Sequence, residues 1–167
     1  MKKVLIAIDY NPCAQKIAET GFKYAKETNA EICIVHAIND VAYYAMEYSP
    51  IMGFEGFGPG SSFENVEEQT NEAKRFLDTV VKHLGDETIQ IKVVDGKTSE
   101  AILQYAKEYG ADLLVMGAQS HNSFEKLIMG DVVAKVLKHS AIPLLIVPTD
   151  KQDMDKIAKQ VDMHQYI

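Results

Sequence analysis

The sequence predicts an α/β domain built on one open, doubly wound parallel sheet. Three observations carry that prediction. Short apolar runs of the kind shown by strands buried on both faces alternate with segments whose apolar residues recur at helical spacing. Residues that start and stop helices punctuate the joints. The 167 residues suffice for one sizeable core and are too few for a closed eight-stranded barrel.

Val4 to Ile8 is a continuous apolar run and predicts the first buried strand. Asn11-Pro12 follows. Asn caps helices well, and Pro suits the first helical position because its missing N–H would have no partner there. Ala14, Ile17, Ala18, Gly21, Phe22 and Ala25 then trace one face of a first helix. Ile32 to Ile38 predicts a second buried strand, and Ala73, Phe76, Leu77, Val80, Val81 and Leu84 mark a second helix. Ile89 to Val94 alternates more, which suits a third strand nearer an edge. Thr98 can cap a third helix with Ile102, Tyr105, Ala106 and Tyr109 inward, and Gly110 can end it. Leu113 to Met116 is the fourth strand, with Gly117 after it. Asp131 can cap a fourth helix carrying Val133, Val136 and Leu137. Ile142 to Val147 is the fifth strand, with Pro143 near its start and Pro148 at its end. Right-handed crossovers make a flavodoxin-like or Rossmann-like sheet the simplest topology.

Residues 40–62 break this rhythm. Gly53, Gly56, Gly58, Pro59 and Gly60 make a flexible insertion in which Tyr43, Tyr44, Tyr48, Phe54 and Phe57 are embedded. It reads as a mobile loop over the sheet edge or as a lid or partner surface. The tail, residues 150–167, carries Met154, Ile157, Ala158 and Val161 at helical spacing. It reads as a short amphipathic helix docked on its own domain or on a partner, or as a frayed end.

The formal charge of −7 argues against nucleic acid or an anionic membrane as main partner. The apolar run at the N-terminus stops at Asp9, too early for a signal peptide, and no run suits a membrane span. The expected location is cytoplasmic. Cys13 and Cys33 lack metal-ligand spacing and read as reduced thiols.

In open α/β sheets ligands bind beyond the carboxyl ends of strands, where the strand order reverses. Asp9, Ala37, Asp95 and Gly117 lie at or near such ends. Asp9 can accept from a ribose hydroxyl or from backbone N–H groups of its own turn. Gly117 and Gly130 bracket a loop before the fourth helix; they suit a close approach of backbone to phosphate, and equally a plain turn. His121, in that loop, can meet a phosphate or lie exposed. His36 reads as a satisfied histidine of the strand end. Gly96-Lys97-Thr98 is no P-loop, because Ile91 stands where that motif needs a glycine. No nucleophile elbow or metal-ligand cluster is present, so the expectation is a non-enzyme.

Asp112-Leu-Leu-Val-Met-Gly117-Ala-Gln-Ser120, Leu127-Ile-Met-Gly130-Asp131-Val-Val-Ala-Lys-Val-Leu137 and Ile142-Pro143-Leu-Leu-Ile-Val-Pro148 resemble the universal stress protein family. Val4 to Asp9, and Val94-Asp-Gly96 through Ile102, fit the same family. The resemblance covers residues 1–149 apart from the loop. It implies a five-stranded parallel sheet of the adenine nucleotide alpha hydrolase-like kind. It also implies a homodimer paired through the last strand, Leu144, Leu145, Ile146 and Val147. Members that bind ATP carry glycine, two residues, glycine, nine residues, glycine, then serine or threonine. Gly117 and Gly130 match the first and third glycines, Ser120 stands at the second, and Asp131 stands at the serine or threonine.

On this resemblance the pocket comprises Ala7, Ile8, Asp9, Ala37, Met116, Gly117, Ser120, His121, Gly130, Asp131 and Val132. Asp9 would meet the ribose and Ala37 the adenine through its backbone. The ligand would be ATP or AMP, with Mg²⁺ if a triphosphate. Asp131 works against that pose, by repelling phosphate and, as a helix cap, by occupying N–H groups that phosphate would use. Bridging Mg²⁺ would reverse the effect. The alternative is a dimeric interaction module without nucleotide, acting on a protein partner through loop and tail. A phosphoacceptor receiver fits poorly, with Tyr10 and Pro148 where it needs an acid and a lysine. A flavodoxin fits poorly too, since Asp9-Tyr-Asn-Pro-Cys is no phosphate loop.

Overall fold

The structure is a computed structural model, and it describes residues 2–11, 13–38, 66–120 and 130–150. The loop at 40–62, residues 151–167 of the tail, His121 and Pro12 lie outside the described residues. Strands β1 (Lys3–Ala7), β2 (Glu31–Ile38), β3 (Gln90–Asp95), β4 (Leu113–Ser120) and β5 (Leu144–Asp150) alternate with helices α1 (Ala14–Glu27), α2 (Val66–Leu84), α3 (Thr98–Tyr109) and α4 (Asp131–His139). All strand pairs are parallel, in the order β3-β2-β1-β4-β5. The order reverses between β1 and β4, the expected place for a ligand.

Alternate residues of the central strands feed two cores. Val4, Ile6, Ile8, Ile32, Ile34, Leu113 and Val115 pack under α1 and α2. Leu5, Ala7, Cys33, Val35, Ala37, Leu114, Met116 and Ala118 pack under α3 and α4. Central β1 and β2 are buried on both faces, whereas edge strand β3 is exposed at every other residue over its first half. No helix among the described residues is long and apolar enough to cross a membrane.

The element boundaries correct several expectations. β4 does not stop at Met116; Gly117 lies inside it and the strand runs to Ser120. β5 starts at Leu144 and continues through Pro148 to Asp150. Because Leu114 N–H donates to Pro143 O, odd-numbered residues of β5 turn their backbone groups toward β4. The nitrogen of Pro148 therefore faces the open edge, where the missing N–H breaks no ladder bond. Asp95 is the last residue of β3 and does not follow it. Thr98 and Asp131 are first helical residues, and the N-cap positions belong to Lys97 and Gly130. Gly110 ends α3 at φ 70°, in the left-handed region that glycine adopts readily.

Asn11 acts two residues before the N-cap of α1. Its Oδ1 accepts from Cys13 N–H at 2.8 Å, and its backbone O accepts from Ala14 N–H at 2.8 Å. The helix proper has Cys13 at its N-cap. At the opposite end of the strands, Asp112 Oδ2 accepts from Lys2 N–H at 2.6 Å and Lys3 N–H at 2.9 Å, tying the start of β1 to the start of β4. These bonds, that from Lys2 first, hold its carboxyl below the usual carboxylate value.

Candidate functional site

At the switch point the end of β1 stands between β2 and β4. Ala7 is in register with Val35 on one side and Met116 on the other. Ala7, Ala37 and Met116 share the core beneath α3 and α4, and Val132 packs against it. Four of the residues singled out from sequence thus meet on one face. Ile8 does not join them; its side chain belongs to the core beneath α1 and α2.

Asp9 is exposed just past β1. Its Oδ1 accepts from Asn11 N–H at 3.2 Å, so it does serve its own turn. An exposed carboxylate at this place remains suited to hydroxyl groups of a ligand. Ile8 is tied on both sides: its N–H donates to Val35 O at 3.0 Å, and its carbonyl lies 2.9 Å from His36 Nδ1. Burial lowers the His36 pKa, against the pull of that hydrogen bond and of the Asp9 charge. The imidazole is therefore neutral near pH 7. Its ring packs on Tyr10 with centroids 4.5 Å apart and on Phe76 at 6.0 Å.

Gly117 turns toward α1. A Cβ there would run into Cδ1 of Ile17 and lie 3.0 Å from its Cγ1. The glycine is thus required by helix-on-strand packing as well as being suited to a ligand approach. The end of β5 is fastened to the same region, with Thr149 Oγ1 donating to Ala118 O at 3.2 Å and Lys16 Nζ to Pro148 O at 2.9 Å. Apolar periodicity singled out Ile17 only as a core residue, and sequence reading missed Lys16. Neither contact has a short-range signal, because the partners are about a hundred residues or more apart.

Gly130 is exposed, with open space where a Cβ would stand. No side chain among the described residues caps α4. The expectation that Asp131 consumes the helix N–H groups is thereby corrected: its carboxylate sits in the first turn, exposed, and does not cap. The leading N–H groups of a helix carry partial positive charge and suit an anion. What remains against a phosphate here is the charge of Asp131. Ser120 is the last residue of β4, and its strand points its backbone toward the same end of the sheet.

The sequence profile described as the universal stress protein family matches residues 1–148. Universal stress protein MJ0531 of Methanocaldococcus jannaschii is 27% identical over 155 residues, covering 91% of this chain and 85% of that protein. MJ0577 of the same organism is 29% identical over 153 residues, covering 87% and 94%. Its solved structure superposes with a TM-score of 0.64 at 22% identity, over 89% of this chain and 96% of that one. A universal stress protein of Archaeoglobus fulgidus solved with dAMP gives 0.58 at 16% identity, over 87% and 97%. One solved with cAMP gives 0.56 at 20%, over 89% and 97%. At these identities the structural likeness speaks for the fold. With the family profile spanning five strands and four helices of the order described above, the chain belongs to the universal stress protein family.

Proposed function

We propose that this chain is an adenine-nucleotide-binding stress protein, not a fast enzyme, whose pocket lies over the ends of β1 and β4. The observation that carries the reading is the N-terminus of α4, uncapped by any described side chain and following β4 at the reversal of strand order. Two proteins of similar fold were solved with cAMP and dAMP, which supports an adenine mononucleotide as the simplest ligand. Asp9 would take the ribose, the Ala37 backbone the base, and Ser120, His121 and the N–H groups of Gly130, Asp131 and Val132 the phosphate. Ala7 and Met116 would form the floor, with the backbone of Ile8 and Gly117 beside them. ATP would need Mg²⁺ to bridge its phosphates to Asp131. The acting form would be a cytoplasmic homodimer.

The test is mass spectrometry of the purified protein for a co-purifying adenine nucleotide, followed by melting with AMP and with ATP, with and without Mg²⁺. A ligand at about 100 times its Kd adds about 2.7 kcal/mol to stability, a readily measured shift. No co-purifying nucleotide and no shift under any of these conditions would sink the reading.

A second reading, an interaction module without nucleotide, is favoured by the exposed Asp131 carboxylate in the first turn of α4. It expects deletion of residues 45–62 to abolish capture of a protein partner while the fold persists.

A further inference from the structure

The Ile8 carbonyl lies just past the end of β1, before the chain turns into Asp9. In a parallel ladder one residue bonds to the two residues flanking its opposite number. Ala7 is in register with Val35, so Ile8 stands opposite His36, and its ladder partners would be Val35 and Ala37. The bond to Val35 is made, from Ile8 N–H at 3.0 Å. The carbonyl goes instead to the His36 ring, 2.9 Å from Nδ1. A carbonyl only accepts, so Nδ1 carries the proton.

We propose that His36 is the positioning residue of the nucleotide pocket. By drawing the Ile8 carbonyl to its ring, it sets the direction of the Asp9 carboxylate and leaves the Ala37 N–H to bond the base. This rests on the adenine-nucleotide reading above. The ring is well placed to act as a latch. His36 is 3% exposed, so water does not compete for the bond. Tyr10 and Phe76 pack on it and on each other, with the latter pair 4.8 Å apart. From the latch a run of hydrogen bonds continues into the first helix: Asn11 N–H to Asp9 Oδ1, Cys13 N–H to Asn11 Oδ1, and Ala14 N–H to Asn11 O. A displacement at Ile8 is thereby passed to Asp9 and to the start of α1.

Two experiments test this on the full chain. Long-range ¹H–¹⁵N spectra of the wild-type protein read the His36 tautomer directly; Nδ1–H is expected, and Nε2–H overturns the latch whatever the ligand. Titration calorimetry with AMP then compares wild type, His36→Phe and His36→Asn. Phe keeps a ring in the cavity without a donor, and the Asn amide stands where Nδ1 stood. His36→Phe should bind AMP about tenfold more weakly, as expected for one lost hydrogen bond of a buried group, and His36→Asn should recover most of the loss. A residue serving only to fill space gives the reverse order, with Phe close to wild type, and that order overturns the proposal. Wild type that binds no adenine nucleotide overturns the functional reading and the pocket role with it, while the tautomer result separates that failure from failure of the latch.

Discussion

On the adenine-nucleotide reading, ligand preference should turn on a single residue, Asp131. Its carboxylate is exposed in the first turn of α4, so solvent and salt weaken its field. Two unit charges about 4 Å apart repel by about 4 kcal/mol at an effective dielectric of 20 and by about 1 kcal/mol in water. An exposed site lies nearer the second figure. Asp131→Ser should therefore tighten ATP binding about tenfold in the absence of Mg²⁺, AMP binding less, and the gain should shrink in added salt. Calorimetric titration at two ionic strengths reads all three; equal affinities for ATP before and after substitution would remove Asp131 from the phosphate path. His36 yields a second expectation through pH. Its folded pKa is depressed by burial, so on acidification the unfolded chain protonates first. The term is absent above the unfolded value of about 6.5 and grows as a loss of stability below it, until the folded form protonates too. Urea midpoints should fall as pH drops below about 6.5 in the wild type and less steeply in His36→Asn. Asp86 acts in a different window. The Thr88 hydroxyl and N–H, then Lys26, lower it from 3.8 to about 2, so its contribution is complete above the upper figure and is lost as pH falls from there toward the lower one. The importance of His36 was not legible in the sequence. A histidine in an apolar strand shows that a partner is needed, not that the partner is the carbonyl across the register.

At the level of the elements, every helix and strand was legible from apolar periodicity, and the errors gathered at glycine, proline and cap residues. Gly117 and Pro148 read as strand ends because both break strands in isolation. The sheet retains them for reasons of tertiary placement. Gly117 sits where α1 comes closest, and Pro148 turns its nitrogen to the open edge. The N-caps of α3 and α4 were read one position late, since Thr98 and Asp131 are good capping types whereas Lys97 and Gly130 hold the positions through backbone geometry alone, and that of α1 was read two positions early, at Asn11 in place of Cys13. The approach of α1 to β4 can be tested. Adding a Cβ at Gly117 forces Ile17 to move, and overpacking of this kind costs about 1–3 kcal/mol. Gly117→Ala should lose that much in urea unfolding. The double variant with Ile17→Val should recover part of it, because the two sites share one contact. Additive losses would show that the strand, not the helix side chain, bears the strain. The same single variant separates packing from binding: a loss of nucleotide affinity larger than the double variant restores belongs to the pocket.

For the whole molecule, the two edges of the sheet differ in a way that bears on how β5 could pair. β3 shows exposed Gln90, Lys92 and Asp95, charges and polar groups that discourage pairing. β5 shows half-buried Leu144, Leu145 and Ile146, and Leu137 of α4 is 50% exposed. Strand number and helix order were readable from periodicity. The alternation of β3 also marked it as an edge strand, as it is; periodicity gave no such mark for β5, whose place at the other edge depends on the strand order. By the parity set at Pro143, Leu144 and Ile146 direct their N–H and C=O groups outward, where a second copy running antiparallel could take them. Pro148 ends that row: it has no N–H, and its carbonyl already accepts from Lys16 Nζ. Pairing with a second copy at this edge would thus be confined to the stretch from Leu144 to Val147, the segment that resemblance to the family implies. Proline substitution distinguishes the two sides of the strand. Ile146→Pro removes an outward donor and keeps the β4 ladder, so the fold should survive while the mass in solution halves from dimer to monomer. Leu145→Pro removes a donor that faces β4 and should lower stability by about 3 kcal/mol or more, whatever the oligomeric state. Light scattering alongside urea unfolding reads both. A dimer that withstands Ile146→Pro would place the interface elsewhere than the β5 edge.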